Sequence, residues 1–449
     1  MPQSKSPRGR HGRPLTSRPL PMMDVATSRH ADGMRVVSAR IPYVQSVSVG
    51  VWIRTGSRGE PQCLNGVSHF LEHLLFKGTH KRTARQITYA VEGRGGYLNA
   101  FTSEEHTCFY ARVAREELKK TLDVISDMML SSRISATDVK RERAVIMEEI
   151  TMYRDQPQQL VQDMLMGALW PRHPLGRPIV GTPESVAGLR RADVARYLRD
   201  HYTANRATVA FAGSVSHEEC RELSERYFGG LPKRGRARSW PRGDRWALQH
   251  PVVLQARDTE QAQLAMGFRL FGGADKRRHA LKLLSAVMGE NMSSRLFQSV
   301  RERAGLAYNI YSSVNLFREC GFFGIAAGME AGRILQVLKV ICRELKRIRE
   351  RPVSGAELRR ARDYMIGQLR LGLEGPTPQM MWVGEDLVSR GSFLSPETTI
   401  EALRSVTTGD VQAIAREVFD PQTLSIAAIS PQLTSADEPR ILEIAAQIT

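Results

Sequence analysis

A chain of 449 residues with 42% apolar and 25% charged positions is long enough for two or more domains and can fill sizeable cores. No run of about 20 apolar residues occurs, so no membrane-spanning helix is expected, and five scattered cysteines without C-x-x-C spacing argue against a cysteine-built metal site and for a reducing compartment. The net charge of +17 raises the question of nucleic acid, but Lys5, Arg8, Arg10, Arg13 and Arg18 supply part of it from an acid-free stretch at 1–23, leaving +12 for the rest.

That stretch is rich in Pro, Gly and Ser and reads as a disordered basic arm, with a targeting segment as the alternative. The folded part starts at 24. Strands are expected at 34–39 and 46–55, the second alternating apolar with polar residues, followed by a loop at 56–66. Then comes NGVSHFLEHLLFKGTHKR at 65–82. On a helix, His69 and His73 stand one turn apart on one face, with Glu72 at its edge. This H-x-x-E-H order inverts the commoner zinc-protease motif, in which two neutral imidazoles hold Zn²⁺ and the carboxylate acts on water. Two histidines alone fit a solvated helix face equally well.

A helix at 83–91 is broken by Gly93, Gly95 and Gly96; a strand pair at 97–102 and 106–113 and helices at 116–131 and 136–153 follow. On the last helix Glu142 and Glu149, seven apart, face the same side, while Glu148 points about a quarter turn away. A catalytic zinc normally takes three protein ligands plus water. One of these carboxylates fits a ligand and the other a group that orients a ligand; an ordinary charged face is the competing reading. Helices at 160–169, 182–201 and 216–228 enclose a turn at 173–176 and a strand at 207–213. The segment 232–251, with six basic residues and one acidic, reads as an exposed linker.

An internal repeat follows. Pro183-Glu184, Asp193-Val194, Tyr202 and the strand at 208–212 recur as Pro396-Glu397, Asp410-Val411, Phe419 and 424–429. Residues 135–150 lie on 354–369 with one shift of 219, matching Arg141 with Arg360 and Arg143 with Arg362. Two copies of one α/β unit explain this. Glu149 then falls on Gln368 and Glu142 on Ala361, and H-x-x-E-H does not recur, so the second copy is expected to bind no metal.

HFLEHLLFKGT at 69–79, GGYLNAFTSEEHT at 95–107 and ERAVIMEEI at 142–150, in this order, make the chain resemble the pitrilysin, insulinase and mitochondrial processing peptidase family of zinc metallopeptidases. The resemblance implies an α+β fold of two tandem homologous α/β domains, each a mostly antiparallel sheet packed with helices. Residues 24–231 would form the zinc-binding catalytic domain, 232–251 the linker and 252–449 a metal-free homologue that contributes substrate-binding residues. It implies His69, His73 and Glu149 as ligands of Zn²⁺, Glu72 as general base and Glu142 as a supporting carboxylate. Asn99 and Ala100 match the family's edge-strand segment, where an extended peptide adds as a β-strand. Arg301 and Tyr308 match its C-terminal Arg/Tyr pair, with Tyr308 as a donor to the developing oxyanion.

The implied activity is hydrolysis of extended or unfolded peptides by a soluble endopeptidase, cytoplasmic and bacterial in type. A mitochondrial matrix enzyme is the alternative if 1–23 is a targeting segment. Both the metal motif and the Arg/Tyr pair lie on this one chain, which points to a homodimer. Gly372, Gly375, Gly384 and Gly391 are too dispersed to form the glycine-rich loop of the non-catalytic processing subunit. The competing functions are a catalytically inert scaffold subunit of the same family, against which the intact ligand set speaks, and a basic nucleic-acid-binding protein.

Overall fold

The computed structural model describes residues 23–235, 240–243 and 251–448. The expected basic arm lies outside these residues except for Met23, which is buried, and so do two stretches of the expected linker.

The first half runs through β1 (Asp24–Arg29), β2 (Arg35–Arg40), β3 (Ser46–Ile53), α1 (Val67–Leu75), α2 (Ala84–Val91), β4 (Tyr97–Thr102) and β5 (Thr107–Ala114). It continues with α3 (Leu118–Ser131), α4 (Ala136–Asp155), α5 (Pro157–Leu169), α6 (Pro183–Gly188), α7 (Arg191–His201), β6 (Ala207–Gly213) and α8 (His217–Phe228). The second half contains β7 (Val252–Ala256), β8 (Ala262–Phe271), α9 (Arg278–Met288), a π-helical turn (Phe297–Arg303), β9 (Ala307–Leu316) and β10 (Cys320–Met329). After these come α10 (Ile334–Glu350), α11 (Gly355–Gly372), α12 (Pro376–Arg390), α13 (Pro396–Ser405), α14 (Thr408–Val418), β11 (Leu424–Ser430) and α15 (Asp437–Ala446).

Two sheets form, in the orders β1-β2-β6-β3-β5-β4 and β7-β11-β8-β10-β9. Without β1 they have the same topology. In each, the first strand pairs in parallel with the last, β2 with β6 and β7 with β11, and every other pair is antiparallel. This is the α+β duplication expected from the repeat, and side chains reproduce it in detail. Ser135 and Ser354 cap α4 and α11 through their hydroxyls. Arg143 donates to the carbonyls of Val186 and Leu189 at 3.3 and 2.6 Å; Arg362 donates to those of Leu403 and Val406 at 3.2 and 2.9 Å.

The same contact explains a correction. A single helix is expected at 182–201, but the structure has two, because the Arg143 guanidinium takes up carbonyls at the end of α6 and Leu189 turns extended there. Strand β1 is missing from the sequence reading because its six residues, DVATSR, carry no buried apolar face. Main-chain pairing with β2 along its whole length holds it. Within the expected linker, residues 240–243 are tethered at two carbonyls, with Pro241 and Arg242 exposed: Trp170 Nε1 donates to the Gly243 carbonyl at 3.2 Å and an Arg58 Nη donates to Pro241 O at 2.7 Å.

The two halves exchange helices. Helix α5, which follows α4 in the first half, packs its Val161, Leu165 and Leu169 onto β8 and β11 of the second sheet, against Ala265, Ala427 and Ile429. Helix α12, its counterpart at the same shift of 219, packs Met380, Val383 and Leu387 onto β2, β3 and β6, against Val37, Trp52 and Ala210. Each sheet thus buries one face under its own helices and the other under a helix from its twin.

Close approach of α12 depends on glycine. A Cβ at Gly384 would meet the fully buried Trp52 ring at 2.4 Å, and one at Gly50 would meet the same ring at 2.4 Å. Gly384→Ala is therefore expected to overpack this seam and lower stability by about 1–3 kcal/mol, read as a fall in the urea unfolding midpoint. An unchanged midpoint would show that α12 is not seated against the tryptophan.

Candidate metal centre

Helix α1 begins at Gly66, whose φ of +91° suits glycine and whose Cβ, if present, would meet the Val180 carbonyl at 2.7 Å. Its first-turn N–H groups are satisfied by a buried carboxylate from outside the helix. Glu60 accepts from the backbone N–H of Gly66 and Ser68, both at 2.7 Å, and from the Asn65 amide at 3.2 Å. Burial pushes the Glu60 carboxyl up to about 7, against the pull of those donors. Val67, Phe70, Leu71, Leu74 and Leu75 sink into the core, which turns His69, Glu72 and His73 toward α4 and β4.

Three donor atoms, from His69, His73 and Glu149, lie within 4.8 Å of one another. Both Nε2 atoms face Glu149 Oε2, at 3.8 Å from His69 and 3.7 Å from His73. A tetrahedral zinc with bonds near 2.0–2.1 Å spaces its ligand atoms by about 3.4 Å, so the donor set fits that ion by chemistry and by spacing.

The surroundings of His69 favour its ligating form, and hydrogen bonds orient the other two donors. Burial first, and then the neighbouring His73 charge, push His69 down to about 4 against the pull of Glu149. A neutral imidazole is the form that binds metal. His73 Nδ1 lies 3.4 Å from Glu142 Oε2, an arrangement in which that nitrogen donates and Nε2 is left to ligate. Glu142 is itself buried and paired with Lys77 at 3.0 Å. Tyr153 OH donates to Glu149 Oε1 at 2.9 Å, leaving Oε2 toward the histidines. Glu72 accepts from Thr102 Oγ1 at 2.5 Å; burial raises its carboxyl above the usual carboxylate range, with the Thr102 hydroxyl and His73 opposing and Glu149 adding to the rise.

The structure thus brings together His69, Glu72, His73, Glu142 and Glu149. Asn99 and Ala100 stand nearby on β4, which pairs with β5 on one side and forms the edge of its sheet. Asn99 is exposed and its amide donates to Tyr97 OH at 2.7 Å. Arg301 and Tyr308 are not brought to the cluster: Arg301 stacks over Phe297 at 4.9 Å in the π-helical turn, and Tyr308 is 60% exposed at the start of β9. Sequence reasoning missed Glu60, Lys77, Thr102 and Tyr153. The spacing of Tyr153, four after Glu149 on one helix face, was a usable signal, as was that of Lys77, four after His73. Glu60 and Thr102 reach the site only through the tertiary fold.

Fold and donors together define the class, a zinc metallopeptidase built by duplication with its metal donors in one half. Residues 35–183 match the family model for insulinase (peptidase family M16), and residues 188–365 match that for the M16 inactive domain. The chain belongs to this insulinase, or M16, family. An uncharacterized zinc protease of Mycobacterium leprae is 38% identical over 414 residues, 92% of this chain and 93% of its own length. One from Bacillus subtilis is 36% identical over 400 residues, 89% and 97% of the two chains. Among solved structures, a protease from Helicobacter pylori has the same fold, with a TM-score of 0.85 at 21% identity over 91% of this chain and 100% of that one. The two family matches meet ahead of β6, although that strand is hydrogen-bonded between β2 and β3 of the first sheet.

The carboxylate–imidazole contact makes a prediction. Glu142→Gln keeps the shape but loses the charge that orients His73, so zinc affinity is expected to fall about 10- to 100-fold, measured by chelator competition. Unchanged affinity would leave Glu142 as a partner of Lys77 alone.

Proposed function

We propose that this chain is a zinc endopeptidase that cuts extended or unfolded peptides, with His69, His73 and Glu149 as the metal ligands and Glu72 as the general base. The observation that carries the reading is the convergence of those three donors beside a carboxylate that is itself anchored to an edge strand. Bound there, Zn²⁺ supplies a Lewis acid that polarises the scissile carbonyl and brings the pKa of a water toward neutrality.

The protein's own groups do the rest. Glu72 Oε2 is engaged by Thr102, so Oε1 is the oxygen that takes the proton from the attacking water and returns it to the leaving amine. Burial raises its carboxyl above the usual carboxylate range, which makes it a stronger base than a solvated glutamate. The substrate adds to the free edge of β4 beside Asn99 and Ala100, where main-chain hydrogen bonds align any extended sequence. Thr102 lies on that strand, so the carboxylate and the peptide share one support. In this reading Arg301 and Tyr308 close on the peptide from the second half, with Tyr308 donating to the oxyanion, and two copies of the chain complete the working chamber.

Glu72→Gln is expected to lower peptide cleavage by at least about 10²–10⁴-fold with zinc still bound, as followed by mass spectrometry of a peptide library and metal analysis of the same sample. Cleavage at the wild-type rate would refute the assignment, and a purified protein without zinc would favour an inert scaffold. Light scattering is expected to give the mass of two chains; a monomer at assay concentration would remove the dimer from the proposal.

A further inference from the structure

Where the two halves meet, a cleft of about 780 Å³ is bounded by the start of β2, the end of β3, the β9–β10 turn and the C-terminal end of α12. None of the metal donors lines it. Its basic side chains are Arg35, Arg54, Arg278, Lys282, Arg318 and Arg390. Its carboxylates are already engaged or suppressed. Glu105 accepts from the buried Arg58 guanidinium and from the Arg318 backbone N–H at 3.2 Å. Asp386 pairs with Arg390 and accepts from the Leu394 N–H at 3.1 Å. Burial holds Glu385 toward its neutral form, with Lys282 and Arg390 pulling the other way.

Arg278 donates to the Asp275 carbonyl at 3.1 Å, which leaves, among the described residues, three guanidinia, with Lys282, that no side chain or turn engages in this way. Among the described residues, no carboxylate pairs with the side chains of Arg35, Arg54 or Arg318; Arg35 donates to the Leu387 carbonyl at 2.6 Å. They act on one another instead. Arg35 is held below the usual guanidinium value by burial and then by Arg54, Arg29 and Arg318, and Arg54 by burial and then by Arg318. Arg35 and Arg54 are half-buried and Arg318 is exposed, all lining one cavity, and like charges so placed are unfavourable unless an anion joins them. Planar guanidinium forks match oxyanions bidentately.

We propose that this cleft binds a small phosphate-class oxyanion, held by Arg35 and Arg54 of the first half and Arg318 of the second. The volume is of small-molecule size. Phe317, Trp382 and Phe393 form its apolar wall. Guanidinium forks of Arg35, Arg54 and Arg318 lining one cleft suit a compact anion with several oxygens. Because the arginines come from both halves, the anion would pin the halves together, and mass action would make the folded chain more stable in its presence.

The test is thermal unfolding of the full zinc-loaded chain, titrated with inorganic pyrophosphate or ATP against sodium chloride of matched ionic strength. Pyrophosphate is expected to raise the midpoint saturably beyond the chloride control, and Arg54→Gln and Arg318→Gln each to raise the half-saturating concentration about tenfold. In chloride alone the same variants should unfold no earlier than wild type, because each removes a repulsion rather than a bond. Both variants keep the metal site, so a shift that acts through zinc would survive in them, and that outcome overturns the proposal. So does a shift no larger than that of chloride, or one produced by poly-glutamate and not by pyrophosphate. Equal shifts with ATP and pyrophosphate would support recognition of phosphate alone; a larger one with ATP would support a nucleotide against the aromatic wall.

Discussion

One guanidinium sealed from water holds the two halves and the metal site in a single arrangement. Arg58 is 0% exposed and reaches Glu105 on the β4–β5 loop, Glu319 on the β9–β10 turn and the Pro241 carbonyl of the connector, with Trp240 packed 5.7 Å from its charge. Removing one partner from a buried network of this kind costs about 3–5 kcal/mol, because the remaining charges are left uncompensated. Position makes it matter for chemistry as well. Glu60, two residues after Arg58, caps α1, and Thr102, three residues before Glu105, holds Glu72. The two polar supports of the site therefore hang from the segments that Arg58 ties.

Duplication explains why the site is one-sided. The two units share strand order, helix caps and the Arg143/Arg362 contacts. At the positions of Glu142 and Glu149 the second unit has Ala361, buried in its apolar core, and Gln368. A carboxylate kept in that core without its imidazole and lysine partners would be unfavourable. With the exchange of α5 and α12, each half also supplies a wall of the other, so the second unit is a structural requirement of the first.

Much of this was legible in the sequence, for a definite reason. Helical spacing of His69, Glu72 and His73, the seven-residue interval between Glu142 and Glu149, and the shift of 219 between units are local or periodic signals, and the structure keeps all of them. What stayed hidden depends on tertiary distance. Arg58, Glu60 and Glu105 read as ordinary charges of a polar loop until the fold buries two of them and turns the third inward. The helix exchange leaves no periodic trace, because α5 and α12 are amphipathic whichever sheet they cover. Strand β1 lacks a buried stripe altogether.

The excess of positive charge also changes meaning once it has a location. A protein that binds nucleic acid through its backbone needs an exposed basic stripe from which many cations can reach phosphates together. Arg35 and Arg54 are instead half-buried at strand ends, and they meet Arg318 across the junction of the two halves. Charges concentrated in one cleft raise the local potential for a small anion. The same geometry that makes these arginines repel one another would make them bind cooperatively once an anion bridges them. The charge that a reading of composition assigns to an extended partner thus belongs, in part, to the mechanics of holding two halves of one chain together.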